Sequence, residues 1–115
     1  MDRLSKGEIS DALYMWTKEI GIPLRDIMYT IDNNNVLTIY TDIPGQLIGK
    51  AGSTIDKLKQ LLNDIVDKHN RLITQYNAKE DKEFELAPMN PVSINFIEVT
   101  RGDYWFHYDW YGRGM

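Results

Sequence analysis

The sequence predicts a single α+β domain with the order helix, strand, strand, short helix, long helix, strand, and three observations carry that prediction. A capping box, Ser5-x-x-Glu8, opens a run in which Ile9, Leu13, Trp16 and Ile20 recur at helical spacing. Two short alternating runs, Ile27 to Ile31 and Val36 to Thr41, are separated by the turn-forming Asp32-Asn33-Asn34-Asn35. Gly49-Lys50-Ala51-Gly52 then leads directly into a long amphipathic stretch with apolar residues at Ile55, Leu58, Leu62, Ile65 and Ile73.

The first helix is expected over Lys6 to Ile20, because Gly21 and Pro23 are stop signals. The two alternating runs form a hairpin that Pro44 closes. A single helical turn around Gln46 to Ile48 leads into the glycine loop. Ser53 has the side chain of an N-cap, and the helix it would cap ends near Tyr76. Asn77 to Pro91 is charged, contains Pro88 and Pro91, and offers only Phe84, Leu86 and Met89 as anchors, so it reads as a loop. Val92 to Thr100 alternates as a strand.

The aromatic run Tyr104 to Tyr111 follows. Tyr104, Phe106, Tyr108 and Trp110 alternate with Trp105, His107 and Asp109, which suits an extra C-terminal strand that packs on an apolar sheet face or mediates self-association. Such rings could also stack bases, but packing or self-association is the favoured reading. Gly112-Arg113-Gly114 is too short to be an arginine-glycine RNA-binding segment.

Composition excludes several classes. With 115 residues, 43% of them hydrophobic and 11% aromatic, the chain can build one modest core. No apolar run approaches the roughly 20 residues of a membrane span, and the expected location is the cytoplasm, with no membrane partner. The absence of cysteine removes disulfides, thiolate metal sites and cysteine nucleophiles. His69 and His107 are far apart, and no HExxH, GxSxG or dinucleotide fingerprint occurs, so the chain reads as no enzyme and needs no cofactor. Asp64, Asp67 and His69 have the chemistry of metal ligands, but Asp64 and Lys68 are i,i+4 neighbours of the kind found on a solvated helix face, so no metal is assigned.

The net charge of −4 counts against nucleic-acid binding, where Lys and Arg neutralise phosphates. The distribution runs the other way. From Pro44 to Arg71, Lys50, Lys57, Lys59, Lys68 and Arg71 outnumber Asp56, Asp64 and Asp67, whereas Glu80, Asp81, Glu83 and Glu85 outnumber Lys79 and Lys82 in the loop beyond. The candidate clamp region is therefore mildly basic and the acidity lies elsewhere, which predicts weak, salt-sensitive binding.

The glycine loop has little side-chain bulk, so another backbone can approach it closely, and the helix that follows presents free N–H groups to an anion. A Walker A phosphate loop is the competing reading. Its spacing fails, since three residues separate Gly45 from Gly49 instead of four, and Ala51 stands where Ser or Thr would bind magnesium.

Pro44-Gly45-Gln46-Leu47-Ile48-Gly49-Lys50-Ala51-Gly52-Ser53-Thr54-Ile55 resembles the signature of the KH domain, the single-stranded nucleic-acid module whose GxxG loop clamps four backbone nucleotides. The element order resembles the type II arrangement of that family, which implies a three-stranded sheet with helices on one face. Val92-Ser93-Ile94-Asn95-Phe96-Ile97-Glu98-Val99 is also similar to the closing strand of the KH domain in the small-subunit ribosomal protein lining the path by which messenger RNA enters. Pro44 to Leu58 is similar to that protein's loop, and the likeness runs over residues 8 to 101. Two departures separate this chain from that relative: a longer helix followed by the acidic loop, and a length that leaves no room for the relative's second domain. The resemblance thus implies a stand-alone type II KH domain over residues 1–103, including the acidic loop 77–91, with an aromatic tail over 104–115.

What the resemblance implies for function is non-catalytic binding of single-stranded RNA, with single-stranded DNA as the other candidate ligand. The site would comprise Ile48, Gly49, Lys50, Ala51, Gly52, Ser53 and Lys57, and Ile43, Leu47, Ile48 and Ile55 would line an apolar groove for the bases. The same apolar residues are also what a core requires. A second reading, in which the fold is a scaffold for protein association or for regulating a ribosomal or transcription complex, draws on the acidic loop and the aromatic tail. A homo-oligomer or a protein partner would follow from it.

Overall fold

The computed structural model describes residues 3–23 and 27–99. The order is α1 (Lys6–Ile20), β1 (Met28–Ile31), β2 (Val36–Thr41), α2 (Pro44–Ile48), a 3-10 turn over Lys50–Gly52, α3 (Ser53–Asn77) and β3 (Ser93–Glu98). This is the α+β arrangement that the residue pattern predicts. The expected strand in the aromatic run, residues 104 to 111, lies outside the described residues.

Each boundary has a local cause. Ser5 accepts from the Glu8 N–H at 3.1 Å while the Glu8 carboxylate accepts from the Ser5 N–H at 3.0 Å, closing the capping box of α1. Gly21 takes the left-handed φ of 75° that ends the helix. Between β1 and β2, Asp32 Oδ1 accepts from the N–H groups of Asn34 and Val36 at 2.8 and 2.9 Å.

The sheet order is β1-β2-β3, with β2 antiparallel to β1 and parallel to β3. Along β2 only Leu37, Ile39 and Thr41 are buried, so a single face of the sheet is covered. Leu37 and Ile39 join Ile9, Leu13 and Trp16 of α1, Leu47 of α2, and Ile55, Leu58, Leu62 and Val66 of α3 in one core. Register places Ile94 beside Leu37 and Phe96 beside Ile39 on the same face.

Three expectations need adjustment. β3 begins at Ser93 and ends at Glu98, while Val92 is buried just before it. The buried stripe of α3 runs through Val66, with Ile65 and Ile73 only partly covered. Beyond Val66 the helix outruns the sheet, and what covers it is the segment read as a plain loop. Phe84, expected as an anchor there, is exposed, and Met89 is the buried one.

That segment is held by a ladder of asparagines. Asn63, Asn70 and Asn77 each use the side-chain amide to donate to the carbonyl and accept from the N–H of one residue, Val92, Met89 and Leu86 respectively. The spacings match: seven residues of helix rise about 10.5 Å, and three residues of extended chain span about 10 Å. Leu86, Met89 and Val92 therefore face α3, while Ala87, Pro88, Asn90 and Pro91 are exposed.

Asn35 ties these parts together. It is fully buried with φ of 62°; its Oδ1 accepts from the Leu4 N–H at 2.9 Å, its Nδ2 donates to the Asn90 carbonyl at 2.7 Å, and its own carbonyl accepts from the Ser93 N–H. Across the helices, His69 Nε2 lies 2.8 Å from Glu8 Oε2. Partial burial would raise the Glu8 pKa, but the Ser5 N–H, the His69 ring and the Ser5 hydroxyl outweigh it and hold the carboxyl below its usual value.

Two measurements follow from these contacts. Asn35→Ala leaves the buried Leu4 N–H unpaired, at about 1–3 kcal/mol, and releases the part-buried Asn90 carbonyl, and Asn35→Gly should be less damaging because glycine accepts the left-handed φ; urea midpoints rank the two. Because the folded-state pKa of Glu8 is depressed, its contribution is complete above the ordinary glutamate range and is lost as pH falls through the folded value. In acid melts, Glu8→Gln should therefore flatten the decline of melting temperature in that window and lower the plateau above it.

Candidate nucleic-acid interface

The loop is built by three residues with positive φ within a four-residue span. Gly49 has φ of 77° and ψ of 175°, Ala51 sits at φ 55°, and Gly52 at φ 77°. Ala51 has a Cβ in the left-handed region, a conformation costing roughly 1–2 kcal/mol, so the surroundings must impose it. Gly49 N–H donates to the Gly45 carbonyl at 3.0 Å, Gly52 N–H to Gly49 at 3.2 Å, and Ser53 N–H to Lys50. The turn is closed from both sides.

Glycine at 49 is required by space as well as by φ. A Cβ there would lie 2.2 Å from Thr54 Oγ1, 2.6 Å from Thr54 Cβ and 2.8 Å from the Thr54 nitrogen. At Gly52 a Cβ would meet open space, so only the backbone conformation selects it. Thr54 is itself held from behind, because the buried Trp16 indole of α1 donates to its carbonyl at 2.9 Å. A tryptophan on an apolar helix face reads as core, and its N–H, which needs a partner when buried, is the signal that it grips something.

The sequence-derived residues separate into two groups. Ile48, Gly49, Lys50, Ala51, Gly52 and Ser53 are contiguous at the surface, with Lys50, Ala51 and Ser53 exposed. Lys57 is exposed too, but its ammonium lies 2.8 Å from the Glu19 carboxylate, so part of its charge is answered within the chain. Leu47 and Ile55 are 0% and 6% exposed and belong to the core, leaving Ile43 and Ile48 as the groove residues with surface to offer.

Ser53 is not the N-cap. It has helical angles of −62° and −35°, Gly52 holds the cap position, and α3 has no side-chain cap. Its N–H is spent on Lys50, so Ser53 cannot present that group to an anion; the other N–H groups of the first turn, with no side chain covering them, remain a positive helix end. Asp56 in that turn opposes it. Two of the three residues weighed as a metal set take other partners: His69 pairs with Glu8, and Asp64 accepts from Gln60 at 2.7 Å. Among the described residues no group of three or more His, Asp or Glu could hold a metal ion.

Residues 18–103, well over half of the chain, match the family described as the KH domain. No curated protein and no solved structure matches the chain.

The geometry separates the two glycines experimentally. Gly52→Ala should cost about 1–2 kcal/mol from the left-handed conformation alone and keep the loop. Gly49→Ala should move Thr54 and with it the Trp16 indole N–H resonance, which a heteronuclear NMR spectrum reports directly.

Proposed function

This chain belongs to the KH domain family, and on that premise we propose that it binds single-stranded RNA without catalysing a reaction, clamping the sugar-phosphate backbone with Gly49-Lys50-Ala51-Gly52. KH domains bind single-stranded nucleic acid; the assignment to RNA and to this loop is our reading. The observation that carries it is the loop itself. Its backbone is forced into three left-handed steps, its tip presents only Lys50 and a methyl group, and it opens onto the uncapped start of a 25-residue helix.

The chemistry follows from those parts. A phosphate approaching the tip finds no side-chain bulk at Gly49 or Gly52, the charge of Lys50, and the positive end of the helix, the last worth about 0.3–1 kcal/mol. Ile48 and Ile43, both half-buried, supply apolar surface for unstacked bases. Lys57, sharing its charge with Glu19, adds less to the attraction of a phosphate than Lys50 does. The element order supports the type II reading, and the likeness of Val92 to Val99 to the closing strand of the ribosomal KH domain supports kinship with that protein. A footprint of about four nucleotides and a loop that offers Lys50 alone as a charge make weak binding the expectation, so avidity or a partner would raise it.

The test is fluorescence anisotropy of labelled single-stranded RNA and DNA pools titrated with wild type and with Lys50→Asp/Ala51→Asp. Wild type should bind, more weakly as salt rises, and the double variant should not. Both positions are exposed and aspartate tolerates the left-handed conformation, so melting and circular dichroism should stay unchanged. Equal binding by the variant, or none by folded wild type, would reject the clamp.

A further inference from the structure

The far end of α3 carries a second surface with different chemistry. The asparagine ladder seats residues 86–92 against the helix but leaves between them a cavity of about 250 Å³, lined by His69, Leu72, Ile73, Tyr76, Leu86 and Met89. Two large apolar side chains stand open beside it. Leu72 is 63% exposed and Phe84 59%, the latter's ring 6.1 Å from that of Tyr76. Tyr14, Met15 and Ile97 are exposed elsewhere, but Leu72 lines the cavity and Phe84 adjoins Tyr76 in its wall, and it is a patch rather than a single side chain that marks a contact surface.

The loop that follows the helix is acidic, with four carboxylates against Lys79 and Lys82. Asn77 and Leu86 are bonded to each other, so residues 78–85 form a closed loop over the end of the helix, carrying Glu80, Asp81, Glu83 and Glu85. Lys82 is turned inward, donating to the Asn77 carbonyl and paired with Glu85 at 3.3 Å. The negative pole of the helix dipole falls on the same side and is answered in part by Lys82 at the Asn77 carbonyl.

We propose that this end of α3 is a docking site for a basic segment of a partner protein, one large apolar side chain of which enters the cavity while its flanking Lys or Arg residues meet Glu80, Asp81 and Glu83. The occupant is selected by charge. A nucleic acid would bring phosphates to a carboxylate rim, whereas a cationic peptide satisfies the rim and the helix end together. About twenty residues of α3 separate the cavity from Ser53, a distance of about 30 Å, so both ends can be occupied at once. The proposal uses none of the clamp residues and stands whether or not the clamp reading survives.

The test is heteronuclear NMR of the full chain titrated with three probes: a short synthetic peptide with a Leu and a Phe flanked by Lys and Arg, the same peptide with Glu in place of the cations, and a single-stranded RNA oligonucleotide. The basic peptide should shift Leu72, Tyr76, Phe84 and Leu86 while leaving Lys50 and Gly52 in place. Leu72→Lys, at an exposed position, should weaken this by roughly tenfold or more, as should Glu80→Gln/Asp81→Asn/Glu83→Gln, with the spectrum elsewhere retained. The proposal is overturned if the basic peptide in millimolar excess moves none of these resonances, if the acidic peptide binds equally, if Leu72→Lys binds like wild type, or if the RNA shifts the same set. Failure of the clamp would be seen separately, as the absence of RNA-induced shifts at Lys50 and Gly52.

Discussion

The buried amide of Asn35 is the point at which four stretches of backbone meet. Its side chain reaches Leu4 before α1 and Asn90 before β3, while its own carbonyl holds Ser93 and its N–H closes the hairpin turn on Asp32. An unpaired polar group at a fully buried position is costly, so these partners are obligatory rather than decorative. Fixing them fixes where α1 starts, where the last strand begins and how the turn is wound. The sheet register, and with it the face against which the helices settle, depends on that one residue being able to satisfy donors and acceptors in a left-handed conformation.

A second residue outside glycine takes a positive φ, beyond the other end of the sheet's second strand. The glycine loop holds Ala51 in a conformation it would not choose, and the force that keeps it there comes from packing on both sides: Leu47 and Ile55 in the core flank the loop, and the Trp16 indole fixes the Thr54 carbonyl. A surface loop kept rigid by buried neighbours can meet a ligand without first losing conformational freedom. The exposed tip is therefore an extension of the core, although none of its own side chains is buried.

What could be read from the residues follows the range of the interactions. Helix α1, the hairpin strands and the glycine loop are written in local signals, the Ser5–Glu8 box, the asparagine turn and paired glycines, and these are placed where the pattern puts them. The long-range consequences were not legible. Ser53 has the side chain of a cap, yet the positive φ of Gly52 shifts the cap by one residue. Leu47 and Ile55 look like groove residues until the sheet occupies them. The ladder was written in plain sight, as asparagines seven residues apart at 63, 70 and 77, but its meaning depends on an extended partner with a period of three, and neither period announces the other.

In kinetic terms that ladder solves a problem posed by the sheet. Pairing β3 in parallel with β2 closes a circuit that includes the whole of α3, and long circuits form slowly because their closure entropy is lost before any contact compensates it. The asparagines divide the circuit into steps. Asn77 meets Leu86 across a separation of 9 residues, Asn70 meets Met89 across 19, and Asn63 meets Val92 across 29. Each rung brings the next within reach, so the chain can zip back along its own helix and deliver Ser93 to the edge of β2 as the end of a local process rather than as a distant encounter.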